Sequence, residues 1–94
     1  MIRLRFKELK LDLREVFGLL GGLLTTSAFV PQVWRLYRLK SAREISLSFT
    51  VMFVLGVVFW LAYGISFGLL SIVLWNTITF FLGCSMLYAK IKFG

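Results

Sequence analysis

The chain has 94 residues, 60% of them hydrophobic, and its 11 Lys and Arg against 4 Asp and Glu give a net charge of +7. A mean hydropathy of +0.90 lies far above that of water-soluble domains, which are about half apolar, and excludes a sizeable aqueous domain. All fifteen charges fall in 1–15, 35–44 and 90–92, where Lys and Arg set orientation and meet lipid head groups; no basic domain is left to bind nucleic acid.

In the N-terminal stretch 1–15, Ile2, Phe6, Leu9 and Leu13 recur with Val16 at helical spacing between charges. The pattern suits an amphipathic lead-in lying at the membrane interface, and a frayed polar tail fits it too. An uncharged run of nineteen residues, 16–34, follows. It is too long for the apolar part of a signal peptide and lacks an A-x-A-like cleavage site.

A second uncharged run covers the forty-five residues 45–89. About 20 helical residues cross the ~30 Å hydrocarbon layer, so this run divides in two, most naturally at Gly64-Ile65-Ser66-Phe67-Gly68. The pattern predicts an all-α integral membrane protein: one three-helix domain over 16–94, with spans at about 16–37, 46–67 and 70–89.

The first span carries Gly18, Gly22, Thr25 and Phe29 on one face, with a GxxxG step from Gly18 to Gly22 that admits another backbone. Pro31 removes an amide donor, frees the carbonyl of Ser27 and bends the helix near its end, as a passive kink or as a hinge. In the second span Phe49, Phe53, Gly56, Trp60, Tyr63 and Phe67 share one face at steps of four and three. Such a stripe can be aromatic packing, or a platform in a cavity that holds a flat apolar surface such as the C–H face of a sugar. The third span places Asn76, Thr79 and Gly83 on one face. An amide at that depth marks a substrate path or joins helices together.

Chemistry is poorly provided for. Cys84 is the single cysteine and the chain has no His, so no disulfide within the chain, metal centre or cofactor is expected. Ser66 and Cys84 have no acid or base in the spans to activate them, which argues against an enzyme. Proton-coupled carriers commonly place Asp, Glu or His in the membrane; with none there, a solute would cross downhill. Three helices offer three inward stripes, too few to shield a solute from lipid, so a two-fold dimer is expected. The positive-inside rule is nearly tied, with five Lys and Arg on the N-terminal side against six in the first loop and C-terminal tail.

Read in order, Thr25-Thr26-Ser27-Ala28-Phe29-Val30-Pro31-Gln32-Val33, the loop Lys40-Ser41-Ala42-Arg43-Glu44-Ile45-Ser46-Leu47, then Trp60-Leu61-Ala62-Tyr63-Gly64 and Trp75-Asn76 resemble the bacterial SemiSWEETs of the PQ-loop superfamily, from about Gly18 to Lys90. The resemblance implies a half-transporter that dimerises into a six-helix sugar uniporter working by alternating access. It implies residence in the bacterial cytoplasmic (inner) membrane, with the N-terminus outside and the first loop and C-terminus inside. By the same resemblance Trp60 and Asn76 bind the sugar, Pro31 and Gln32 form the hinge, and Tyr63 is the outer-gate tyrosine, which in a chain uncharged over 65–71 would close with apolar neighbours such as Phe67. Phe29, Phe49 and Phe53 lie near the depth of an inner gate, or belong to the core. One departure stands out: relatives often carry charges after the Tyr-Gly pair, whereas 65–71 is uncharged here. Competing readings are a carrier of another small polar solute and a non-selective, holin-like pore.

Overall fold

The computed structural model describes residues 13–94, so most of the 1–15 stretch lies outside the described residues. It contains three helices: α1 (Leu13–Leu39), α2 (Leu47–Phe67) and α3 (Leu70–Phe93). All three are long and apolar enough to cross a membrane. The shortest has 21 residues, which at ~1.5 Å per residue spans roughly the hydrocarbon thickness. Relative to expectation, α1 begins three residues earlier and ends two later, and α3 runs four residues further. α1 is continuous through Pro31.

Local chemistry sets the ends. Ser46 caps α2, its Oγ accepting from the Phe49 amide at 3.1 Å, as an N-cap serine does for an otherwise unpaired first-turn donor. The break between the second and third helices falls at Gly68-Leu69, later than the start of the Gly64–Gly68 stretch. Gly68 adopts a left-handed conformation (φ 66°), and the Leu69 and Gly68 amides return to the carbonyls of Gly64 (2.9 Å) and Ile65 (3.3 Å), a Schellman turn that needs a residue without a Cβ. This two-residue turn makes α2 and α3 antiparallel neighbours.

α3 lies in the middle, packed along both α1 and α2, while α1 and α2 barely touch. Against α1 it fits a repeating small-residue step. A Cβ on Gly18 would strike the Ser71 side chain and one on Gly22 would fall on the Trp75 ring, while Thr26 Oγ1 meets Thr79 Oγ1 at 3.5 Å. Each pair advances by four on both helices, as parallel helices require. The densest packing is at the first-loop end, where Val33 and Leu36 of α1, Ala42 of the loop, and Met86 and Ala89 of α3 form the core. There the Tyr37 hydroxyl donates to the Ser85 carbonyl (2.7 Å) and accepts from Ser85 Oγ (2.9 Å). Lys90 Nζ donates to the Ala42 carbonyl (3.1 Å), pinning the loop. Elsewhere the helices are thinly covered, with 11% to 17% of each span's most apolar stretch buried.

Candidate functional site

The depth of each candidate follows from the packing of α2 on α3. Gly64 meets Ile72 and Gly83 meets Phe53 and Val54, two antiparallel pairs at equal depth. Four residues before Gly64 is Trp60, and four after Ile72 is Asn76; seven after Phe53 and seven before Gly83 give the same two residues. The structure therefore sets the Trp60 indole and the Asn76 amide level with each other, on adjacent helices.

Asn76 is half-buried and its Nδ2 donates to the Ile72 carbonyl of its own helix at 2.9 Å. This uses one of the two amide hydrogens and leaves the other, with the side-chain carbonyl, for a ligand. Trp60 is 57% exposed, its ring presented edge-on to Tyr63 at 5.5 Å. Tyr63 in turn contacts Phe67 at 5.2 Å, so Trp60, Tyr63 and Phe67 form one aromatic group toward the α2–α3 turn.

A second group lies toward the first loop. Phe29 of α1 packs on Phe53 at 5.4 Å and Phe49 stacks on Phe53 at 5.8 Å, bridging α1 and α2 where these helices otherwise stand apart. Between the groups sits Gly56, where a Cβ would meet nothing within 4 Å. The single stripe on α2 is thus two ring clusters separated at Gly56, and the level of Trp60 and Asn76 is the near edge of the cluster toward the α2–α3 turn.

A cavity of about 920 Å³ opens at the first-loop end. Phe29, Phe49, Pro31 and Gln32 line it together with Arg35 and Arg43, but Trp60 and Asn76 do not. Pro31 and Gln32 are therefore brought together with two of the inner aromatic residues, and the paired Trp60 and Asn76 stand apart from that space.

The third-span stripe is divided between neighbours: Thr79 meets α1, Gly83 meets α2 and Asn76 bonds to its own backbone. On α1, Thr25 bonds to its own helix at Gly22 (3.3 Å), whereas Thr26, passed over in the sequence reading, is buried against α3. Its signal was present in the spacing Gly18, Gly22, Thr26 beside Ser71, Trp75, Thr79. Trp75 Nε1 is buried without a hydrogen-bond partner, its ring lying on Gly22. Among the described residues no group of His, Cys, Asp and Glu could hold a metal ion.

The family model for the PQ loop repeat matches residues 13–73. A protein of Leptospira biflexa named sugar transporter SemiSWEET is 40% identical over 82 residues, covering 87% of this chain and 96% of that protein. Another of the same name, from Bradyrhizobium diazoefficiens, is 33% identical over 80 residues, covering 85% and 93%. Among solved structures, a bacterial homologue of SWEET transporters superposes with a TM-score of 0.83 at 34% identity, covering 88% of this chain and all of that one.

Proposed function

The chain belongs to the PQ-loop repeat family, and we propose that it is a sugar transporter working as a homodimeric uniporter by alternating access. It is a membrane protein, not an enzyme. The observation that carries the site is the common depth of Trp60 and Asn76 on neighbouring helices, with Trp60 the first ring of the Trp60–Tyr63–Phe67 group.

A sugar ring has an apolar C–H face and a rim of hydroxyls. The half-exposed Trp60 indole stacks on the first. Asn76, with its carbonyl and remaining amide hydrogen, pairs with the second and replaces hydration lost on entering the membrane. One chain supplies one wall. A second copy, related by an axis along the membrane normal, supplies the opposite Trp60 and Asn76 and covers exposed aromatic side chains such as Phe59 (75%) and Phe67 (60%).

In this reading the first loop and C-terminus face the cytoplasm and the N-terminus faces outward, in the bacterial cytoplasmic membrane. Phe29, Phe49 and Phe53 close the inner side, and Tyr63 and Phe67 the outer, where the segment 65–71 carries no charge. Pro31, with Gln32 beside it, is the hinge. Its missing amide hydrogen removes one rung from the helix ladder, so bending there sacrifices fewer hydrogen bonds than elsewhere in α1. Weak binding suits such a carrier, since millimolar affinity is only about 4 kcal/mol and the sugar must leave again.

The test is uptake of radiolabelled glucose and sucrose into liposomes holding the purified protein. Saturable uptake of at least one sugar is expected, abolished by Trp60→Ala and by Asn76→Ala while both variants remain dimers. Retained uptake in either variant at equal expression removes that residue from the site. Uptake that is linear and unselective identifies a pore.

A further inference from the structure

The transport reading leaves unassigned the polar wall of the cavity at the first-loop end. From its composition we propose that this cavity binds a phosphate group, held by the guanidinium groups of Arg35 and Arg43. At about 920 Å³ it falls within the ~300–1,000 Å³ of small-molecule sites. Leu36 and Met86 contribute an apolar wall, while Arg35 from α1, Arg43 and Glu44 from the loop, and Ser46 at the start of α2 bring polar groups to the same space. It is distinct from the sugar site: Met86 lies ten residues beyond Asn76 on α3, about 15 Å along the helix.

The side chains of both arginines make no hydrogen bond or ion pair to any described residue, nor does that of Glu44, the one carboxylate in the lining. A guanidinium presents five N–H donors in a rigid fork and keeps its charge. Two of them on one cavity call for an anion with several oxygens. A carboxylate offers two oxygens and one negative charge; a phosphate monoester offers three terminal oxygens and about 1.5–2 charges. The surrounding field has the right sign, because the first loop and the adjoining ends of α1 and α3 carry six Lys and Arg against Glu44 alone, which concentrates anions at this mouth. Glu44 opposes the ligand, and this fixes a sign that a purely structural role for these residues would not produce.

The phosphate can come from a phosphorylated sugar in solution or from a lipid head group, and calorimetric titration of the full-length protein in detergent separates them. Glucose 6-phosphate and short-chain phosphatidic acid are the probes, with glucose as the uncharged control. At least one phosphate probe should bind saturably. Arg35→Gln and Arg43→Gln should each weaken binding roughly ten-fold or more, and Glu44→Gln should strengthen it. Glucose 6-phosphate displaced by inorganic phosphate identifies the soluble source; binding of phosphatidic acid alone identifies the head group. The proposal is overturned if neither probe binds, if binding survives both arginine changes in protein with the wild-type elution volume, or if Glu44→Gln weakens it. Should the arginine variants fail to fold, the Glu44→Gln result still decides. Glucose uptake in Asn76→Ala reports on the sugar site separately, so failure of one reading is not mistaken for failure of the other.

Discussion

Replacing Gly22 by Ala tests the packing on which the arrangement of helices depends. The added methyl would fall on the Trp75 ring, whereas one at the neighbouring Gly21 would meet nothing within 4 Å. Both changes remove a helix-interior glycine and should gain about 0.5–1 kcal/mol of backbone preference. Only Gly22→Ala also forces a rigid indole away, a cost of about 1–3 kcal/mol for overpacking. The two variants should therefore differ by about 1–3 kcal/mol, with Gly21→Ala the more stable. Helix content followed by circular dichroism during thermal unfolding in detergent gives the comparison. Adding Trp75→Leu to Gly22→Ala should restore part of the loss, with a coupling in the ~0.5–3 kcal/mol range of contacting residues. If Gly22→Ala is no less stable than Gly21→Ala, α1 and α3 do not share this register, and the Thr26–Thr79 contact falls with it.

Tyr37→Phe deletes the hydroxyl that both donates to and accepts from Ser85; it should cost about 1–2 kcal/mol, read from the same unfolding curves, and an unchanged midpoint would mean that this end of α1 is held by packing alone. In liposomes, uptake down a sugar gradient should be indifferent to a proton ionophore, because neither 16–34 nor 45–89 contains a residue of the Asp, Glu or His type that carries protons through membranes. Loss of flux with the ionophore would show coupling and sink the uniport reading.

The helices were legible because uncharged run length is a direct measure of membrane crossing, whereas the Ser46 cap that sets the start of α2 emerged with the structure. The level of Trp60 and Asn76 was only half legible. Each residue's depth within its own span could be counted, yet equal depth depends on where the α2–α3 turn falls, and the stretch Gly64 to Gly68 offers two glycines for it. Gly68 takes the left-handed turn, while Gly64 stays helical and lets Ile72 approach. The same residue type served two purposes, close packing and chain reversal, and only their combination sets the register.

Which helix lies in the middle was less legible still. A seven-residue loop joins α1 to α2, and that length alone permits them to pack side by side as consecutive helices usually do. Against this stands the face of α1 formed by Gly18, Gly22 and Thr26, whose small side chains leave room for Ser71, Trp75 and Thr79 of α3. The α2 stripe, Gly56 apart, consists of large rings, which need room rather than a groove. Lipid gives apolar side chains no reason to leave it, so helix pairs in membranes are chosen by how closely backbones can approach. α3 therefore goes to α1, α2 follows because its turn is two residues long, and the Trp60–Tyr63–Phe67 end of the α2 stripe is left largely exposed. The same packing rule that orders the three helices thus leaves the Trp60 wall uncovered, and this is the face that the proposed second copy encloses.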